Sequence, residues 1–323
     1  MLAGLGFALA LASMPPQVPP QDATSLPAAQ AAQEPSRLED VEVVGRPLET
    51  LIRKFVGEVA EPNRGRGLAR WDGQVCVGVA NLRVDVAQYL ADRISTVAQG
   101  LGLEAGDVGC SPNIMIIAAA NGGALAEAMV GDSKRVFRKG GPGMDRGGVA
   151  LKDFVETDRA IRWWQVAVPV DSETGLRAVR IPGECSTPCD SSFDMAPVIP
   201  VFAASRLRTQ IVDNLTRTIV IVDIDQVEGM STLQLADYIA MVSLAQIDPG
   251  ADTSPYASIL NVIADPQGVD SLTDWDTAYL TGLYGAVRNQ VNTRANRSEI
   301  ASSIRRAHGE IRAARENGSL SAD

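Results

Sequence analysis

The sequence predicts an α+β domain on a mixed sheet, with a long buried helix following the central strand. Three observations lead there. Thr218-Ile219-Val220-Ile221-Val222-Asp223-Ile224 is β-branched on both faces, the pattern of an interior strand covered from both sides. Leu233 to Leu244 is apolar apart from Gln234, Asp237 and Ser243, so a helix there is buried around most of its circumference. Gln74–Val79, Val84–Leu101 and Asn113–Ala119 read in order as strand, helix and strand, the signature of a parallel pair joined by a crossover.

Taken from the start, residues 1–13 form an uncharged apolar run ending in small residues, like the core and cleavage region of a secretory signal. The run is too short to span a bilayer, and no Cys follows it, so the expectation is export to the periplasm or beyond without a transmembrane or lipid anchor. Residues 14–40, rich in Pro, Ala and Gln, read as a disordered leader. A single domain over residues 41–292 opens with a short strand, Val41–Val44, and a helix, Pro47–Val59, with Leu48, Leu51, Ile52, Phe55 and Val59 on one stripe. Asn63–Arg70 is an Arg/Gly-rich link.

After the strand Asn113–Ala119, Asn121-Gly122-Gly123 opens a helix, Ala124–Met129. It lacks the third glycine of a dinucleotide fingerprint and the Gly-Lys-Ser/Thr of a P-loop, so it reads as a plain strand-to-helix turn rather than a phosphate site. Lys134–Gly148 gathers Lys134, Arg135, Arg138, Lys139 and Arg146 around a Gly-Gly-Pro-Gly turn. It reads as a solvated loop, with contact to an anionic ligand or partner as the alternative. Arg162–Val170 and Leu176–Ile181 form a predicted hairpin. Adjacent Trp163 and Trp164 point to opposite faces, one into the core and the other over an edge or into a cleft. A Pro-rich crossing at Pro197–Pro200 leads to a helix near Arg206–Leu215 and then to the central strand.

Ser231 and Gln234 have the spacing of a capping box at the start of the buried helix, with Met230 and Leu235 placed to staple it, and Asp248-Pro249-Gly250 is its stop. Ser254–Val262 holds a short apolar turn, and Thr273 caps a helix running to about Gln290 with an aromatic face. Residues 293–323 form a C-terminal amphipathic helix and tail. Ile300, Ile304, Ala307, Ile311 and Ala314 make a stripe that the domain or a partner must cover.

Composition restricts the chemistry. A formal net charge of -10 over 323 residues argues against a nucleic-acid partner, which calls for a basic footprint. The single histidine, His308, expected to be exposed, rules out a His-Glu-x-x-His zinc site. No Gly-x-Ser-x-Gly elbow is present. Four cysteines, Cys76, Cys110, Cys185 and Cys189, allow half a zinc site or disulfides; with no nearby histidine, the pairs Cys76–Cys110 and Cys185–Cys189 are favoured among three connectivities. Asp223 and Asp225 share a strand face, and Asp237 follows on the helix. Carboxylates so arranged suit acid/base work, although structural hydrogen bonding is the default reading among 39 acidic residues.

Gln234-Leu235-Ala236-Asp237-Tyr238-Ile239-Ala240-Met241-Val242, Ser258-Ile259-Leu260 and Leu272-Thr273-Asp274-Trp275-Asp276-Thr277-Ala278-Tyr279-Leu280, with Arg70-Trp71, Cys76, Cys110 and Asn113, resemble a group of exported Gram-negative bacterial proteins. The resemblance covers most of Leu38–Tyr284. In their order of elements those proteins look like zincin metallopeptidases, with a long helix where a zincin carries its zinc motif. Here that helix holds Gln234, Asp237 and Tyr238, the candidate cleft residues, and no histidine. The resemblance therefore implies a zincin-like layout with no catalytic residue, metal or cofactor to carry over. The leading expectation is a non-catalytic exported protein that binds an unknown protein or peptide. A metal-independent hydrolase using acidic residues is one alternative, and an envelope protein associating through its C-terminal helix is the other.

Overall fold

A computed structural model describes residues 47–63, 65–137, 144–179, 199 and 206–320, all within one unit that begins at Arg46. The signal-like segment, the leader, the strand at Val41–Val44, the Cys185–Cys189 pair, the Gly-rich turn after Arg138 and most of the Pro-rich crossing lie outside the described residues.

The helices are α1 (Leu48–Glu58), α2 (Val84–Gly100), α3 (Gly122–Asp132), α4 (Lys134–Phe137), α5 (Gly148–Glu156), α6 (Thr232–Leu244), α7 (Asp274–Gly285) and α8 (Thr293–Leu320). The strands are β1 (Gln74–Val75), β2 (Val77–Ala80), β3 (Glu104–Ala105), β4 (Ile114–Ala119), β5 (Ile161–Asp171) and β6 (Ile211–Asp223). The main sheet has the order β2-β4-β6-β5. Its first three strands are parallel, and β5 runs antiparallel along β6 with an irregularity at Val166/Ala167; β1 and β3 form a separate parallel pair. The predicted strand–helix–strand unit is β2-α2-β4.

Strand alternation divides the core between the two faces. Val220 and Val222 of β6 and Trp163 of β5 enter a large cluster with α1, α2, α6, α7 and α8, whereas Ile219, Ile221, Trp164 and Val166 meet Ala126, Phe137, Leu151 and Phe154 on the other face. Both tryptophans are thus core, and neither lines a cleft. Trp163 donates its indole N–H to the Ile247 carbonyl and Trp164 to that of Phe137, which satisfies each ring's one polar atom.

Several sequence expectations are corrected. The residues from Arg206 to Leu215 are not helical: β6 begins at Ile211 because this stretch pairs with the far half of β5. Of the predicted second hairpin strand, the described residues 176–179 hold one bridge, Val170 to Arg177, after a turn at Asp171, and the rest lies outside the described residues. Helix α6 ends at Leu244, before Asp248-Pro249-Gly250, because Ala245 turns extended and Ile247 pairs with Ala60. The domain covers the first part of the α8 stripe, while Ile311 is partly buried and Ala314 exposed. Ile300, Ile304 and Ala307 are buried against the large cluster, and at Gly282 of α7 an added Cβ would stand 2.4 Å from the Ile304 Cα, so that glycine sets the closeness of the two helices. His308 is half-buried rather than exposed.

Cys76 and Cys110 stand at disulfide-bonding distance, with 6.1 Å between their Cα atoms. Asn113 braces the same junction: its side chain accepts from the Cys76 amide at 2.8 Å and donates to the Gln74 carbonyl at 2.9 Å.

Candidate functional site

On helix α6 the polar side chains of Gln234 and Asp237 are engaged in holding the fold, while the Ser243 hydroxyl is buried without a hydrogen-bond partner. Ser231 and Gln234 form the expected capping box, and the Gln234 amide nitrogen reaches the Pro266 and Val269 carbonyls, each at 2.7 Å. Asp237, fully buried, accepts from Arg93 of α2 at Oδ1 (2.6 Å) and Oδ2 (3.0 Å), and from the Leu272 amide at 2.8 Å. Tyr238 lies on another side of the helix, its ring 6.1 Å from that of Trp163, and burial pushes its phenol far above the ordinary range. Gln234, Asp237 and Tyr238 therefore do not converge on one cleft.

The other sequence candidates also have structural partners. At the start of α3, Asp223 accepts from the Gly122 amide at 2.9 Å and Asn121 accepts from Ala124 at 2.8 Å, so the amides a phosphate would use are already bonded. Asp223 and Asp225 line a depression of about 380 Å³ at the carboxyl ends of β4 and β6, and Asp223 has a different partner from Asp237. Arg146 is not in a solvated loop: its side chain is 14% exposed and pairs with Glu61 and, at 3.5 Å, with Asp248.

A polar constellation that the sequence reading missed lies where β6 outruns β4. Only Thr218–Asp223 of β6 pair with β4, so Ile211–Arg217 lack that neighbour. Two irregular segments take its place. The Leu215 amide donates to the Arg70 carbonyl at 2.9 Å, and the Thr209 amide to that of Asn289 at 2.8 Å. Arg66 grips Asp213 by donating from Nη2 to Oδ1 (2.8 Å) and from Nε to Oδ2 (3.1 Å), a bidentate pair. Arg70 donates to the carbonyls of Leu283 (2.7 Å), Tyr284 and Ala286 (3.2 Å), satisfying the C-terminal end of α7. Arg288 donates to the Asp213 carbonyl and to the Asn214 side chain, and lies 3.6 Å from Asp72.

Burial dominates the electrostatics here. It lowers the Arg70 guanidinium to about 10, helped by the like charge of Arg288, and it lowers Arg288 despite Asp72 and Asp213. It also raises the Asp213 carboxyl in spite of Arg66.

The Arg70 segment is hung from the end of α6. Trp71 Nε1 donates to the Ser243 carbonyl at 2.8 Å, the Tyr284 hydroxyl to that of Leu244 at 2.9 Å, and the Ala69 amide to the Gln246 side chain at 2.7 Å. Three adjoining depressions follow this segment. One of about 420 Å³ lies by Glu58 and Arg297, and one of about 180 Å³ lies by Asp213 and shares Gly65, Arg66 and Thr293 with the first. The third, about 320 Å³, lies by Arg70 and Arg208 and shares Val212 and Arg288 with the second. Neighbouring depressions thus share wall residues along one polar surface, called the groove below. The local signal in the sequence was the Arg/Gly-rich composition of the link, whose Arg66 and Arg70 are half-buried.

Among the described residues no three His, Cys, Asp or Glu side chains cluster so as to hold a metal ion, and no helix is long and apolar enough to cross a membrane. Comparison with known proteins found no matching protein family, no matching curated protein and no matching solved structure.

Proposed function

We propose that this protein is an exported, non-catalytic binding domain of zincin-like layout that holds an extended protein or peptide segment in the groove beside Arg288. The observation that carries the reading is the run of three depressions sharing wall residues, which suits a chain-like ligand better than a compact one. The zincin-like layout is supported by the order of elements: parallel strands β2 and β4, the antiparallel edge strand β5, the parallel strand β6 and then α6. Non-catalysis is supported by α6, whose Gln234 and Asp237 are spent on loop and helix contacts. Export is supported by the apolar start and by the Cys76–Cys110 pair.

The test is to present the purified chain with a peptide library and, in parallel, to assay it on broad peptide and glycan substrates with and without chelator. Saturable binding without turnover is the expected result. Turnover that survives chelator and is lost in Asp225→Asn would replace the proposal with the second reading, a metal-independent hydrolase, which the acidic depression at Asp223 and Asp225 favours.

A further inference from the structure

Resting on the groove reading, the question is what the ligand carries into the depression between Arg70, Arg208 and Arg288. Three guanidinium groups line it against two carboxylates, Asp72 and Asp171. Those carboxylates are committed. Asp171 Oδ1 accepts from the Glu173 amide (3.0 Å), the Thr174 amide (2.7 Å) and the Thr174 hydroxyl (2.9 Å), so it holds its own turn. Asp72 faces Arg288 at 3.6 Å and accepts from the Asn214 side chain at 3.1 Å.

The arginines are less evenly matched. The partners of Arg70 are neutral carbonyls and a tyrosine ring 5.7 Å away, so its charge has no bonded carboxylate. Arg208 is exposed and makes no ion pair among the described residues. Two positive charges are thus left without carboxylate bonds at this end of the groove, on a protein of formal net charge -10. The net charge acts through solvent and is screened over about 8 Å at physiological salt, whereas the guanidinium groups act at contact.

We infer that this end of the groove binds a side-chain carboxylate, and hence that the ligand is an acidic peptide segment. Guanidinium groups suit that partner because they offer paired donors in a fixed plane to both carboxylate oxygens. Val287 beside them adds an apolar contact for the neighbouring residue of the peptide.

The experiment is fluorescence-polarisation titration of the full chain with three labelled peptides of equal length, capped at both ends. One carries Asp and Glu, one carries Asn and Gln at the same places, and one carries Lys. A fourth, neutral peptide keeps a free C-terminal carboxylate. The acidic peptide is expected to bind at least about fivefold tighter than its neutral match, and Arg208→Gln to remove about that factor. Because Arg208 is exposed, that variant should keep its melting temperature; Arg312→Gln, an exposed change on α8, should bind as the unaltered chain does. Equal binding of acidic and neutral peptides, unaffected by Arg208→Gln, would overturn the carboxylate inference and leave the groove reading standing. Binding that requires the free C-terminus would overturn the assignment to side chains. If none of the four bound, both readings would fall.

Discussion

Asp237→Asn probes the α2–α6 contact with the smallest change of shape. In the native protein the carboxylate meets three donors, Arg93 Nε, Arg93 Nη2 and the Leu272 amide, over two oxygens that are wholly buried. Asparagine keeps one oxygen and replaces the other with an NH2, so whichever way it turns, at least one buried donor faces another donor. Losing a charge-assisted bond and leaving a donor unsatisfied costs about 2–4 kcal/mol. Breaking a fully buried pair would cost up to about 5 kcal/mol, but the Arg93 side chain is 32% exposed and recovers part of its hydration. At about 2–4 °C per kcal/mol for a large domain, the melting temperature should fall by roughly 5–10 °C. Arg93→Met alone should be at least as damaging, because it strands the Asp237 charge, and the double variant should be less damaging than the sum of the two. A urea-unfolding cycle measures this directly. Single effects under about 0.5 kcal/mol, or additivity within that margin, would refute the pairing as a determinant of stability.

The remaining predictions concern other joints of the fold. Gly282→Ala places a methyl group against the Ile304 backbone, so α7 and α8 must separate, at a cost of about 1–3 kcal/mol in chemical denaturation. Reducing the Cys76–Cys110 link, which spans 34 residues, should lower stability by about 3–4 kcal/mol on the chain-entropy account, seen as a lower urea midpoint in reductant. Burial raises the phenols of Tyr238, Tyr279 and Tyr284 above their ordinary value of 10.0. A raised folded pKa means stability that is full below pH 10 and is lost above it; a titration at 295 nm should therefore show these three ionising only as circular dichroism reports unfolding. Trp71→Phe removes the donor to the Ser243 carbonyl, so it should cost about 1–3 kcal/mol and speed amide exchange in residues 66–72; unchanged exchange there would show that the bond does not hold the groove wall.

The elements with strong local signals were legible in the sequence, and those made by distant partners were not. The capping box at Ser231, the cap at Thr273 and the strand–helix–strand unit rest on local patterns, and each is present. The first half of β6 was misread as helix because Ile211–Leu215 is short and mixed in pattern; only the far half of β5 makes it a strand. The end of α6 was placed too late for the same reason, since the pairing of Ile247 with Ala60 overrides a local stop three residues on. Asp237 was visible as a polar residue in an apolar run, but its partner Arg93 lies 144 residues away and no spacing rule connects them. The groove was least legible of all, because Arg66, Asp213 and Arg288 come from three separate segments that the ragged end of the sheet brings together.

That ragged end also explains why α6 can be so apolar and still bear on function. A helix leaves its last carbonyls without partners, and a buried helix cannot give them to water. Here Ser243 and Leu244 give theirs to Trp71, in the first of the two segments that stand in for the missing length of β4, and to Tyr284 at the end of α7. Gln246, just past the helix, adds the bond from Ala69, and Gln165 of β5 donates to the Val242 and Ala245 carbonyls from the sheet side. The helix end is thereby satisfied by the groove wall, and the wall is positioned by the helix end. Any polar or metal-binding group introduced on the buried faces of α6 would have to displace packing that this arrangement uses, whereas the groove can vary its arginines without touching the helix.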